Sequence, residues 1–241
     1  MLDMQDLKLK QGKFNLSVSV PSMSPKIYAL IGPSGSGKST LLAALAGFLP
    51  ISAGTLRWKR KDITALKPAE RPIAILFQDN NLFPHLTAER NIALAVTQKR
   101  VLTFSIKQKI QAALTRVGLD GFGDYKPAQL SGGQQGRVAL ARILLQDKPI
   151  LLLDEPFNAL GPALKNDMLD LLQVLANERQ CLVLMVTHDP EDAMRIAKET
   201  LVVNDHKVSL PVPTARLFAN PPPSLEAYLG AGKKKQKSIS F

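Results

Sequence analysis

The sequence is poor in several features on which whole classes of protein depend. Its 241 residues include one cysteine, Cys181, which excludes an internal disulfide and a cysteine-rich zinc site. Cys181 lies in the apolar run "CLVLMV", and we expect it to be a buried core thiol. No apolar run approaches the roughly 18 residues of a membrane-spanning helix, and "MLDMQDLKLKQGKF" lacks the apolar core of a signal peptide. We therefore expect a cytosolic protein that meets a membrane through a partner.

Acidic residues are scarce relative to basic ones. Lys and Arg number 31 against 20 Asp and Glu, which gives a formal charge of +11. Four of the lysines lie in "KKKQK" (233–237), and we expect residues 231–241 to form a disordered basic tail. The excess charge fits a solvated surface, attraction to polyphosphate ligands, an anionic lipid surface or nucleic acid. Charge alone does not separate these alternatives.

Short apolar runs alternate with helical patterns along most of the chain. "KIYALI", "PILLL" and "CLVLMVTH" predict strands, and because they alternate with helices they indicate an α/β fold with a parallel sheet covered on both faces. Partial alternation on either side of Gly12 predicts an N-terminal pair of short antiparallel strands. The helical stretch from about 87 to 147 is too long for a single crossover. It predicts an α-helical subdomain inserted into the core.

The stretch "GPSGSGKST" (32–40) matches G-x-x-x-x-G-K-[ST], and it stands between a predicted strand and a predicted helix. Backbone N–H groups of such a loop curl around phosphate oxygens, and the helix N-terminus adds its positive dipole end. Lys38 would reach the β- and γ-phosphates of a nucleotide, and the Ser39 hydroxyl would ligate Mg²⁺. The residues expected to hold the phosphates are Gly32, Pro33, Ser34, Gly35, Ser36, Gly37, Lys38, Ser39 and Thr40.

Two carboxylates end the strand "ILLLDE". A P-loop enzyme needs a carboxylate at the tip of a neighbouring strand to hold Mg²⁺, and Asp154 fits that role. Glu155 follows directly and would orient the attacking water or accept its proton. On their own, the two acids would equally fit a helix cap or a solvated turn.

Three further stretches resemble motifs of ATP-binding cassette proteins: "ILFQDNNLFPHLT" (75–87), "LSGGQQGRVALAR" (130–142) and "MVTHDPEDA" (185–193). Their order along the chain also agrees with that family. The resemblance covers about residues 1–230. It implies a RecA-like P-loop NTPase core that binds and hydrolyses ATP with Mg²⁺.

The resemblance also implies a role for each of these motifs. Ser131, Gly132, Gly133 and Gln134 would cap the γ-phosphate held by a second copy of the domain, so it implies a homodimer with two sandwiched nucleotides. Gln78 would sense the γ-phosphate and Mg²⁺, and it is counted among the metal contacts with Ser39 and Asp154. His188 would hold the attacking water together with Glu155. For His85 the expectation is packing rather than chemistry.

The pattern departs from the family at three positions. Gly161 stands where the family has an Asp that links the two nucleotide sites, so we expect weaker coupling between the sites. Gly136 lies in a predicted helix interior, where glycine costs about 1 kcal/mol relative to alanine. The aromatic residue that stacks on adenine is assigned to Phe14, with Tyr28 in the strand that leads into the loop, and poor adenine selectivity is expected.

The stretches "AGFL", "RPIAILFQDNNLFPHLTAERNIAL" and "AYLG" resemble bacterial thiamine importers. This implies an ATPase subunit at the cytoplasmic face of the inner membrane, two permease subunits, and indirectly a periplasmic binding protein that delivers thiamine or its phosphates. Ferric iron, molybdate or another small solute remain alternative cargoes. A cassette protein acting on DNA or ribosomes is disfavoured. Such proteins usually carry two cassettes in one chain or a long coiled-coil insertion between these motifs, whereas Gln78 and Ser131 are only 53 positions apart here. A non-hydrolysing subunit is disfavoured by the presence of Lys38, Asp154, Glu155 and His188.

Overall fold

Two units make up the fold. The computed structural model describes residues 1–78, 81–158, 160–223 and 225–226. The first unit is formed by Met1–Arg71 and Leu184–Phe241, and the second by Pro72–Val183. The expected basic tail, residues 231–241, lies outside the described residues. The boundaries 1–230 and 87–147 remain predictions.

The first unit begins with an antiparallel sheet. Its first elements are β1 (Leu2–Gln11), β2 (Phe14–Met23), β3 (Ile27–Ile31), α1 (Lys38–Ala46), β4 (Ile51–Trp58) and β5 (Lys61–Asp62). β1 lies between β2 and β4 and is antiparallel to both, and β5 extends β4. In β1, Leu7 and Leu9 are buried while Lys8 and Lys10 are not, the period of a half-buried strand. The antiparallel N-terminal part is confirmed, although each of its first two strands is ten residues long rather than short.

Among the residues that the structure describes, the second unit combines two parallel strands with four α-helices. It contains β6 (Ile73–Leu76), α2 (Ala88–Ala93), α3 (Phe104–Arg116), α4 (Gly132–Leu145), β7 (Ile150–Asp154) and α5 (Pro162–Arg179). β6 and β7 pair in parallel with Ile73 opposite Ile150. Hydroxyl side chains at Thr87, Thr103 and Ser131 accept from backbone N–H groups and so start α2, α3 and α4. These three helices share an apolar core that includes Ala88, Ile92, Ile110, Leu114, Leu130, Val138 and Ala141.

The chain then returns to the first unit. β8 (Leu182–Val186) begins in the second unit and ends in the first. It is followed by α6 (Pro190–Ile196), β9 (Glu199–Asn204), β10 (Lys207–Val208), β11 (Val212–Pro213) and α7 (Thr214–Ala219). β9 pairs in parallel with β3, with Leu201 opposite Leu30. Neither α6 nor β9 was expected from the sequence, and α6 spans only seven residues, about two helical turns.

A buried arginine closes the C-terminal end of α1. Arg71 donates from Nη1 to the carbonyl oxygens of Ala44 at 2.7 Å and Leu45 at 2.6 Å. It also donates from Nε to Leu66 O at 2.9 Å and from Nη2 to Thr64 O at 2.7 Å. Burial lowers the pKa of Arg71 from its ordinary value. The guanidinium therefore adds hydrogen bonds to carbonyls in the last turn of the helix, where Ala44 O also accepts from Gly47 N at 3.1 Å.

One expectation about an individual feature is met in the described part of the chain. Cys181 is a buried free thiol, as expected, and burial raises its pKa. Among the described residues, no helix is both long and apolar enough to cross a bilayer.

Candidate functional site

The loop between β3 and α1 requires glycine at two positions. A Cβ on Gly32 would lie 2.3 Å from the carbonyl oxygen of Val203, which no real contact tolerates. Gly37 precedes α1 with a left-handed φ of 103°, and a Cβ there would lie 2.5 Å from Phe14 Cζ. The two glycines let the loop run close to its surroundings and turn its backbone into the start of the helix. Ser34 and Gly35 between them are exposed.

Polar groups of this loop are arranged as an anion site would need. Lys38 is buried and donates from Nζ to Gly32 O at 2.7 Å and Pro33 O at 2.8 Å. Ser36 Oγ is buried and has no hydrogen-bond partner among the described residues. A buried hydroxyl without a partner is costly, so it marks a place for an external acceptor. Ser39 is exposed and Thr40 half-buried in the first turn of α1.

An aromatic pair lies against the same loop. The Phe14 ring, whose Cζ limits the space at Gly37, is 5.4 Å from the His206 ring between centroids, with 54° between the ring planes. His206 Nδ1 is 2.8 Å from Asn15 O, which fixes its position. His206 was not singled out from the sequence, because its proximity to Phe14 depends on the pairing of β10 with β2. Tyr28 is instead buried, and its hydroxyl accepts from Ser24 N at 3.1 Å.

His188 follows the end of β8 in the first unit. Thr187 N donates to Leu30 O at 3.3 Å. Leu30 lies two residues before the loop at 32–40, so this bond holds the end of β8 beside the start of that loop. Thr187 Oγ1 donates to Asp192 Oδ2 at 3.0 Å and accepts from Asp189 N at 3.0 Å, which shapes the turn. His188 itself is exposed. The turn thus presents the imidazole on the strand end beside the loop.

In the second unit, the two acids stand at a sharp end of β7. Asp154 is the last residue of the strand and is buried. Glu155 has a left-handed φ of 48°, a conformation that costs a non-glycine residue about 1–2 kcal/mol. The Asn158 side-chain amide donates to Glu155 Oε2. Asn158 was not identified from the sequence, and its place three residues after Glu155 in a turn is the signal that could have found it.

The signature stretch forms the start of α4 in the same unit. Ser131 accepts from Gln134 N at 3.3 Å, and Gln134 Oε1 accepts from Ser131 N at 2.8 Å, a reciprocal cap. Gly132 is exposed. At Gly133 a Cβ would lie 2.2 Å from Leu164 Cδ2, so Leu164 would have to move to admit a larger residue. The N-terminal end of this 14-residue helix is therefore preformed and open to solvent.

A groove of about 480 Å³ lies beside the loop that follows Gln78. It is lined by Asn81, Leu82, Phe83, Leu94, Arg142 and Gln146. Arg142 donates from Nη1 to Asn81 O at 2.6 Å, and burial lowers its pKa from the ordinary value. Asn91, fully buried, accepts from Phe83 N at 2.8 Å and donates to Phe83 O at 3.1 Å. These bonds make the rim rigid, while Gln78 and His85 are exposed.

The described residues hold no cluster of three or more His, Cys, Asp or Glu side chains that could bind a metal unaided. The candidate ligands Ser39, Gln78 and Asp154 all offer oxygen, which suits Mg²⁺. Mg²⁺ commonly keeps several waters and shares its remaining contacts between one or two protein oxygens and a phosphate. The donor set thus fits an ion that arrives with a nucleotide.

Comparison with known proteins assigns the family. Residues 15–158, more than half of the chain, match the model of the ABC transporter family. The chain belongs to the ABC transporter family. A relative of this ABC protein in Ruegeria sp. (strain TM1040), named thiamine import ATP-binding protein ThiQ, is 51% identical over 96% of this chain and 100% of its own length. A relative of the same name in Cereibacter sphaeroides is 53% identical over 95% of this chain and 100% of its own.

A solved ABC structure supports the fold. The dimeric post-hydrolysis state of the ATP-binding cassette MJ0796, bound to ADP and Pi, has a TM-score of 0.76 and is 29% identical in sequence. The match covers 89% of this chain and 99% of that one. The predicted P-loop NTPase fold of this ABC ATPase is thereby confirmed.

Proposed function

We propose that this ABC ATPase binds and hydrolyses ATP to energise a bacterial importer for thiamine and its phosphates, at the cytoplasmic face of the inner membrane. The observation that carries the proposal is the 51% identity with a thiamine import ATP-binding protein over 96% of the chain. Hydrolysis is supported because each role that ATP cleavage needs has a candidate residue. Phosphate contact, Mg²⁺ binding, proton acceptance and positioning of the water are assigned to Lys38, Asp154, Glu155 and His188, respectively.

Nucleotide binding is assigned to the loop at 32–40. Lys38 would exchange its bonds to Gly32 O and Pro33 O for phosphate oxygens, so the ammonium stays hydrogen-bonded in both states and gains an opposite charge when phosphate binds. Ser36 Oγ would donate to a phosphate, which gives this buried hydroxyl the acceptor that it lacks. Backbone N–H groups at the start of α1 add further donors. The Phe14–His206 pair offers a surface on which the adenine ring stacks.

Cleavage is assigned to Glu155, which would accept the proton of the attacking water. Asn158 donates to one carboxylate oxygen of Glu155 and would help to orient the carboxylate for that proton. His188 and Gln78 would position the water and the γ-phosphate. Mg²⁺, held by Ser39, Gln78 and Asp154, supplies charge neutralisation on the phosphates when bound.

A second copy of the chain completes the site in this proposal. The capped start of α4, with Ser131, Gly132, Gly133 and Gln134, would contact the γ-phosphate bound by the other copy. A helix N-terminus of this length is an anion site, and Gly132 leaves its approach open. Two copies arranged in this way close on each other, so the assembly is a homodimer.

Two permease subunits are proposed to dock in the groove at Asn81, Leu82 and Phe83. A groove of about 480 Å³ with a rigid rim, half-exposed Phe83 and buried Arg142 suits an inserted helix end. Arg142 would add a charged hydrogen bond to a carbonyl or carboxylate of that helix. ATP-driven motion of the second unit would in this way reach the membrane subunits.

The test is ATP turnover of the chain assembled with its permease and binding protein in vesicles. Thiamine-loaded binding protein should stimulate hydrolysis, and Glu155→Gln should abolish turnover while ATP still binds. Val174→Ser, on the exposed face of α5, serves as a matched surface control and should hydrolyse ATP normally.

Two results would contradict different parts of the proposal. Stimulation by a ferric-iron or molybdate binding protein, but not by the thiamine one, would refute the cargo and keep the ATPase. Unchanged turnover in Glu155→Gln would refute the assignment of the catalytic carboxylate and keep the cargo.

A further inference from the structure

The two most exposed large apolar side chains in the described part of the chain lie three residues apart. Val101 is 79% exposed and Phe104 is 76% exposed, whereas every other exposed large apolar side chain in that part stays at 58% or below. Val101 lies in the segment that joins α2 to α3 in the second unit, and Phe104 is the first residue of α3. Such exposure of two neighbours indicates a contact surface rather than scatter.

The surroundings of these two side chains are basic. Between Glu89 and Asp120 the chain contains no acidic residue. Lys99 and Arg100 directly precede Val101, and Lys107 and Lys109 follow Phe104. All four basic side chains are exposed, and none forms an ion pair with a residue that the structure describes. Their charge is available to an external partner.

The local fold holds this surface in place. Leu102, between the two exposed residues, is buried in the core shared by α2, α3 and α4. Thr103 accepts from Ile106 N at 3.4 Å and starts α3 directly at Phe104. Phe104 and Lys107 therefore lie one helical turn apart on the same face. We call Lys99, Arg100, Val101, Phe104 and Lys107 the basic apolar patch.

We propose that the basic apolar patch docks on the surface of an anionic lipid bilayer. Exposed apolar side chains flanked by lysine and arginine are the composition of interfacial membrane contacts: the apolar groups enter the headgroup boundary and the cations meet lipid phosphates. Nucleic acid would use the cations and would stack a base on Phe104, but it offers no apolar interior for the aliphatic Val101. The patch also follows closely on Leu94, which lines the groove assigned to the permease. That argument of continuity rests on the proposed function, whereas the charge and exposure do not.

The experiment measures binding of the full chain to vesicles by sedimentation. Vesicles of phosphatidylglycerol and phosphatidylcholine should retain the protein at low salt and release it at high salt, and pure phosphatidylcholine should retain far less. Each of Lys99→Ser and Arg100→Ser should lower the partition coefficient about fivefold. The double variant Val101→Ser and Phe104→Ser should lower it about tenfold or more.

A spectroscopic variant reports on the patch itself. The chain has a single tryptophan, Trp58, which is buried. Phe104→Trp should show a blue-shifted emission on addition of the anionic vesicles, after subtraction of the wild-type signal. A shift that occurs only with purified permease would overturn the lipid assignment in favour of a protein partner.

Two controls separate the patch from other causes of binding. Val174→Ser removes an exposed apolar side chain outside the patch and should bind as wild type does. A variant with Ser at Lys233, Lys234, Lys235 and Lys237 tests the tail. Binding that disappears with the tail lysines but ignores Val101 and Phe104 would overturn the proposal, as would no binding to anionic vesicles. ATP turnover in solution should be normal in all patch variants, so failure here leaves the proposed function untouched.

Discussion

Replacing Gly136 with alanine should stabilise the protein, and replacing Gly133 in the same helix should destabilise it. Gly136 is a buried residue in the interior of α4, and a Cβ there meets no heavy atom within 4 Å. Alanine should therefore add about 1 kcal/mol through its better helix propensity. For a chain of this size that raises the melting temperature by about 2–4 °C. At Gly133 the new methyl group would press on Leu164 at 2.2 Å, and overpacking costs about 1–3 kcal/mol, more than the propensity gain.

Urea and thermal unfolding of the two variants beside wild type provide the measurement. Gly136→Ala should move the urea midpoint up without a change in slope, and ATP turnover should be preserved because Ser131 and its cap are untouched. A lower midpoint for Gly136→Ala, or shifts of the same sign in both variants, would show that the space read from the structure at these glycines is wrong.

Four further outcomes follow from the site. Asn158→Ala should lower kcat for ATP hydrolysis about tenfold with KM unchanged, the loss of about one hydrogen bond that orients Glu155; steady-state kinetics with a shift in KM alone would contradict this. Gly161→Asp places a cap at the start of α5, where a Cβ has open space, and should raise stability by a few tenths of a kcal/mol and raise the cooperativity of ATP hydrolysis; unchanged cooperativity would refute weakened coupling at Gly161. Phe14→Ala should raise the KM for ATP about tenfold if adenine stacks there, and GTP should compete well with ATP in the wild type; strong ATP preference would argue against poor base selectivity. Cys181 should react slowly with a thiol reagent at pH 8, because burial raises its pKa, and quickly in urea.

The local structure of the motifs that we assign to phosphate binding was predictable, because the residues that form it are close together in sequence. The loop at 32–40 carries its glycines, lysine and hydroxyls within nine residues, and the strand before it and helix after it are where the pattern predicts. The buried strand that ends in Asp154 was likewise readable from its leucines. The residues that determine the backbone geometry of such a segment lie within the segment, so a single sequence is enough to predict its structure.

Features that depend on distant residues were not predictable. The ring of His206 meets Phe14 only because β10 pairs with β2, a contact between residues far apart in the chain. The strand β9 was not predicted, and in the structure it is buried where it pairs with β3. The packing of Leu164 on Gly133 is of the same kind, since it joins two helices. No local pattern encodes such pairings.

Arg71 ties the C-terminal end of α1 to the segment that contains Thr64 and Leu66. A guanidinium keeps its proton even when burial lowers its pKa, so Arg71 remains a fixed positive charge on the carbonyls of Ala44 and Leu45. A nucleotide at the other end would place negative charge on the N–H groups, and both poles of the nine-residue helix would then be held. The same guanidinium also bonds Thr64 O and Leu66 O. A displacement of the loop at 32–40 would therefore move α1 as a rigid body and shift the segment at Thr64 and Leu66, without unwinding the end of the helix.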